Sequence, residues 1–173
     1  MIYFIVVILA ILNDLKTGGL SMSTLKQFNL ARTSLVTFIE DLNEEVLDLE
    51  SNYFENTIRW HIGNTLYIHE KLLFVNPKKS QKIPNEYREL FSSDIQVKDW
   101  KKEPPSLEQL IEDLIDQQNR INNYSELFWK SDVQFKVPYG HIETHDDLLI
   151  MLAHRESDTL GKLKLMKQIC EIQ

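Results

Sequence analysis

Three observations predict an all-α chain folded as a four-helix bundle. Four stretches place apolar residues at helical spacing, no pair of alternating strands reads convincingly, and a polar, proline-punctuated connection separates the second stretch from the third. At 173 residues with 43% apolar and 26% charged side chains, the chain suits one soluble globular domain. No internal repeat or low-complexity tract breaks it up.

The elements follow in order. Residues 1–12, MIYFIVVILAIL, form an unbroken apolar run. It is shorter than the roughly 20 residues that span a bilayer, and it lacks the basic start and cleavage site of a secretory signal. Gly18-Gly19, shortly before Met22, reads as a translated ribosome-binding site. Residues 1–21 are therefore expected to be an extension arising from a mis-called start, with a single domain over 22–173. Membrane association is expected only if residues 1–12 are truly made. Thr24-Leu25-Lys26-Gln27 reads as a capping box opening the first helix, whose stripe runs through Leu25, Phe28, Leu35, Phe38, Ile39, Leu42, Val46 and Leu49. The second helix is expected from Thr57 to Val75, stopped by Asn76-Pro77. Residues 77–105 form the long connection, with one helical turn at Asn85 to Phe91. Ser106 caps the third helix, whose stripe runs from Leu107 through Leu114 and Ile121 to Phe128, ending near Lys130. After the loop at residues 137–140, Thr144 caps the fourth, with Asp146 and Asp147 in its first turn and lysines in its last turns, an order that complements the helix dipole.

Several functions are disfavoured outright. A formal charge of −7 repels a phosphate backbone, so nucleic acid is not an expected partner. The single cysteine, Cys170, allows neither an intrachain disulfide nor a cysteine zinc site and fits a reducing, cytoplasmic setting. The five scattered glycines build no phosphate loop, and neither Glu-x-x-His nor His-Glu-x-x-His occurs. Among the histidines, His69 reads as a surface or rim residue, and His141, Glu143 and His145 as a solvated loop beside the Asp146-Asp147 cap. His61 and His154 are left as candidate site residues.

Two segments carry a family resemblance. NTIRWHIGNTLYIHEKLLF at residues 56–74 and LAHRESDTLGKLKLMKQI at residues 152–169 resemble the DinB family of four-helix proteins, related to the YfiT-like metal-dependent hydrolases and thiol transferases. The likeness covers nearly everything after Met22. It implies a second helix bearing Trp-x-x-Gly-His and a last helix bearing His-Glu-x-x-His-x-Gly, whose three histidines hold one divalent metal. Here the matching segments read Trp60-His61-Ile62-Gly63-Asn64 and Arg155-Glu156-Ser157-Asp158-Thr159-Leu160-Gly161. The frame is kept and the ligands are replaced by Asn64, Arg155 and Thr159.

A guanidinium stays protonated and has no lone pair to offer, so Arg155 is incompatible with a neighbouring divalent cation. Arg155 is predicted to enter the former metal cavity, to donate to Asn64 and Thr159, and to take Glu156 or Asp158 as counter-charge. The expected pocket comprises His61, Asn64, His154, Arg155, Asp158 and Thr159, with no catalytic, cofactor or metal-binding residue assigned. The expected function is non-catalytic, as a binding or structural protein that has lost the family's metal. No cofactor is anticipated, and if there is one it is a divalent metal ion. The alternative is a hydrolase or thiol transferase whose site has moved to His61 with the His154/Asp158 pair. Homodimerisation is implied by the resemblance, and a small carboxylate or phosphate is the anionic ligand that Arg155 and His61 suit.

Overall fold

A computed structural model describes residues 19–74, 81–136 and 140–172, with side chains from Ser23 to Glu171. Residues 1–18, 75–80, 137–139 and 173 lie outside it, and with them the apolar N-terminal run and the expected helix end at Val75. Four long helices, α1 (Gly19–Glu40), α2 (Ile58–Leu73), α4 (Leu107–Asn122) and α6 (His145–Ile172), form the bundle. Two short ones, α3 (Glu86–Phe91) and α5 (Glu126–Trp129), sit in the connections. Among the described residues there is no strand, only two isolated bridges. No helix there is long and apolar enough to cross a membrane.

The first helix departs from expectation at both ends. It is already helical at Gly19, so Thr24 is no cap; its hydroxyl donates to Asp146 Oδ2 of α6 at 3.0 Å. It stops at Glu40 rather than Leu49. Leu42 and Leu47 lie past that end and are both buried. The chain bends instead through a 3-10 turn at Glu44–Val46, and Leu49 is left exposed. Arg59, buried at the start of α2, holds this bend by gripping Asp48 at 2.7–2.9 Å and Glu44 at 2.7 Å. It also donates to the Pro105 carbonyl. Glu44 in turn accepts from Leu107 N at the start of α4.

Capping sets the other boundaries. Thr57 accepts from Trp60 N, and Ser106 from Gln109 N. Thr144 and Asp147 cap α6 reciprocally, with Asp147 Oδ2 accepting from Thr144 N at 2.9 Å and Thr144 Oγ1 accepting from Asp147 N at 3.3 Å. These backbone hydrogen bonds hold the Asp147 carboxyl below its ordinary pKa. The third helix was expected to reach Lys130 but ends at Asn122, and Ser125 restarts the chain as α5. Asn123 bonds back to the Asn119 carbonyl, an example of a short polar side chain competing with the helix backbone. Leading into α6, Gly140 has φ 74°, the left-handed region that a side chain would strain.

The interior is two apolar clusters with a polar layer between them. One gathers Leu35, Ile62, Leu66, Phe91, Leu110 and Leu163; the other gathers Phe28, Leu73, Trp129, Leu148 and Leu152. At the waist, fully buried Arg32 of α1 forms a two-pronged ion pair with fully buried Glu156 of α6. It also donates to the Leu114 carbonyl at 2.8 Å, Gln117 Oε1 at 3.1 Å and His69 Nδ1 at 2.9 Å. Gln117 passes the network to Glu70, which Arg120 clasps with two 2.9 Å bonds. Every long helix contributes a member.

Candidate functional site

The connection between α2 and α4 positions the site. It packs on α2 through Trp60 Nε1 to the Ile95 carbonyl at 2.9 Å and Asn64 Nδ2 to the Phe91 carbonyl at 2.7 Å, and is braced within itself by Trp100 Nε1 to the Leu90 carbonyl at 2.7 Å. Gly63 permits this close approach, because a Cβ there would lie 2.5 Å from the Phe91 ring. The glycine in the Trp60–Asn64 segment is thus needed for packing, independently of any ligand.

Beside this contact, α2 and α6 border a cleft of about 530 Å³. His61 and Asn64 line it from α2, Arg155, Asp158, Thr159 and Lys162 from α6, and Tyr53, Phe54, Glu55 and Asn56 from the turn before α2. Ser93 and Trp60 complete it. Five of the six expected pocket residues therefore share one cavity. The sixth, His154, is exposed and does not line the cleft. Arg155, Thr159 and Lys162 follow one another at i, i+4 and i+7, which puts them on one face of α6. The His61 ring stands edge-on to Trp60, with centroids 5.1 Å apart. Burial, aided by the nearby Lys162 ammonium, lowers its pKa to about 4, so it is a neutral imidazole at pH 7.

Two expectations are corrected by the geometry. Glu156 is not a counter-charge for Arg155: successive helix residues point about 100° apart, so Arg155 reaches the cleft while Glu156 reaches the core and Arg32. His69 is not at the rim but 1% exposed, with Nδ1 accepting from Arg32 and the ring hydrogen-bonded to the Leu152 backbone. Burial first, then the charges of Arg32 and Arg155, hold its pKa well below the ordinary value. Its 3.6 Å approach to Glu156 is consequently no ion pair. Burial raises the pKa of Glu156 itself, against the opposing pull of Arg32. His145 bonds to Ser131 and Asp147 serves as a cap, so the ligand-rich segment before α6 is engaged locally.

The all-helical fold is consistent with one family, and the model of the DinB superfamily matches residues 27–156. The chain belongs to the DinB superfamily. No curated protein matches it. Within this DinB bundle the match takes in His61, Asn64 and Arg155 and ends at Glu156, so Thr159 and Lys162 lie beyond it.

The donor set tells against a divalent metal at the three histidine positions of the resemblance. Asn64 and Thr159 offer only neutral oxygens, and Arg155 offers none. Among the described residues no group of three or more His, Cys, Asp or Glu is arranged to hold an ion. The residues present do not fit the metal. What the sequence reading missed is the buried waist, although a signal was there. Arg32 lies between Phe28 and Leu35, His69 between Leu66 and Leu73, and Gln117 between Leu114 and Ile121. Each is a polar residue on its helix's apolar stripe.

Proposed function

We propose that this DinB-superfamily bundle has exchanged a divalent-metal site for a metal-free cleft and serves as a non-catalytic binding or structural protein. The observation that carries the reading is the convergence of Asn64, Arg155 and Thr159 on one cavity, where a permanent cation stands in place of an electron-pair donor. A metal-dependent hydrolase or thiol transferase with a relocated site is less well supported, because His154, which that site needs, faces away from the cleft lining. The homodimer implied by the resemblance belongs to the same proposal and is checked by light scattering on the purified chain.

The test is metal content after expression in medium supplemented with nickel, zinc, manganese and iron. The expected result is far less than one equivalent of any of them. One tightly held equivalent, lost in His61→Ala, overturns the proposal. A positive control is the triple variant N64H/R155H/T159H: if the frame is intact, restoring imidazoles at these positions recovers stoichiometric binding.

A further inference from the structure

We infer that the cleft between α2 and α6 binds a small organic oxyanion, a carboxylate or phosphate monoester carried on an aromatic body, with Arg155 and Lys162 gripping the charged head. The inference rests on the metal-free reading above and adds to it the class of ligand.

Its first support is the face that α6 presents. Arg155, Thr159 and Lys162 occupy successive turns on one side of the helix and all line the cavity, so a guanidinium, a hydroxyl and an ammonium border the same space. A guanidinium holds a carboxylate or phosphate with two parallel bonds, and a nearby ammonium adds a point charge. Arg155 is half-buried, whereas the acids sharing the cleft, Glu55 and Asp158, are exposed at its rim together with Lys162. Water screens the rim charges more than the inner one, so the interior is net attractive to an anion.

The second support is size and lining. A cavity of about 530 Å³ lies in the range of small-molecule sites and is far too large for a bare phosphate ion. Its lining is mainly polar, with half-buried Phe54 and the little-exposed Trp60 supplying a small apolar patch for a flat body. His61, edge-on to Trp60 and uncharged at pH 7, offers one donor and one acceptor to whatever lies between.

The experiment titrates the full-length, metal-analysed protein with benzoate, phenyl phosphate, inorganic phosphate and benzamide. Binding is followed by calorimetry and by the Trp60 indole N–H resonance, a reporter inside the wall. Benzoate or phenyl phosphate is expected to bind at least ~10-fold more tightly than uncharged benzamide, since the head contacts are charge-assisted. Phenyl phosphate outbinding benzoate assigns a phosphate monoester, and the reverse order assigns a carboxylate. Inorganic phosphate is expected to bind more weakly than phenyl phosphate, because it leaves the aromatic patch unused. Lys162→Gln, at an exposed position that leaves the fold intact, is expected to weaken the preferred anion roughly 3- to 5-fold. Arg155→Lys, which keeps charge and loses the fork, is expected to weaken it about 10-fold. Equal affinity for benzoate, phenyl phosphate and benzamide, or unchanged affinity in both variants, overturns the inference while metal-free protein leaves the parent reading standing. One equivalent of metal in the same preparation overturns both.

Discussion

Arg32→Met is the most direct perturbation of the bundle's interior, and its cost follows from the contacts it removes. Arg32 gives Glu156 a two-pronged partner and also serves the Leu114 carbonyl, Gln117 and His69, all at full or nearly full burial. Methionine fills much of the volume but strands the Glu156 carboxyl, and breaking a buried pair from one side costs about 3–5 kcal/mol. Against a domain stability of about 5–15 kcal/mol this is a large fraction. With a urea slope of about 2 kcal/mol/M, the midpoint should fall by about 1.5–2.5 M. Urea unfolding followed by circular dichroism at constant slope measures it. The double variant R32M/E156L removes both charges, leaving His69 Nδ1, Gln117 Oε1 and the Leu114 carbonyl without the Arg32 donor. It should recover about half of the loss, and the double-mutant cycle isolates the pairing from the rest. A loss below about 1 kcal/mol for Arg32→Met, or simple additivity in the cycle, would refute the buried pair as a coupled unit.

Other perturbations follow from the same packing. Gly63→Ala drives a methyl group into the buried Phe91 ring and should destabilise by about 1–3 kcal/mol, with Phe91→Leu relieving part of the loss in the same background; urea midpoints of the three variants check this. Thr144→Ala removes one half of the reciprocal cap of α6 and should cost about 1 kcal/mol by the same assay. Acid should weaken the fold before its carboxylates titrate. His61 has a pKa of about 4 when folded and an ordinary imidazole value of 6.5 when unfolded, so between these values only the unfolded chain takes the proton. That stability is complete above pH 6.5 and is lost as pH falls toward about 4, amounting to at most roughly 3 kcal/mol. His69 acts in the same direction. Stability measured across pH 4–7 should decline on acidification, and His61→Asn should flatten the curve.

The parts of the fold legible in the sequence were those written in periodicity and capping. Ser106, Thr57 and Thr144 announced three helix starts through residues whose side chains have no better local use than capping. The first helix was misread because its apolar residues continue at near-helical spacing past Glu40, while the bend is held by contacts of Arg59 from the next helix. The break at Asn123 was hidden because Phe128 continues the stripe from the neighbouring short helix. At the cleft, the residue frame of the two motif segments singled out Asn64, Arg155 and Thr159, and all three line one cavity, Arg155 and Thr159 sharing a face of α6 because they are four apart. Lys162 went unnoticed although it continues the Arg155–Thr159 face at i+7, and the turn at residues 53–56 because a contribution from a separate chain segment leaves no local pattern. His69 was assigned to the rim on polarity and Glu156 to the cleft as a partner of Arg155, when their positions among buried apolar residues pointed to the core.

The polar waist has a consequence for how the bundle is read by its own helices. Leucines above and below are interchangeable partners, so on their own they would let one helix slide past another by a turn, about 5.4 Å, at modest penalty. Such a slide would leave the Arg32 guanidinium facing hydrocarbon and the Glu156 carboxylate without its mate. The waist therefore works as a key in a lock of otherwise smooth cylinders. A change at Arg32 or Glu156 alone leaves the other buried without its mate, so the two are expected to change as a pair.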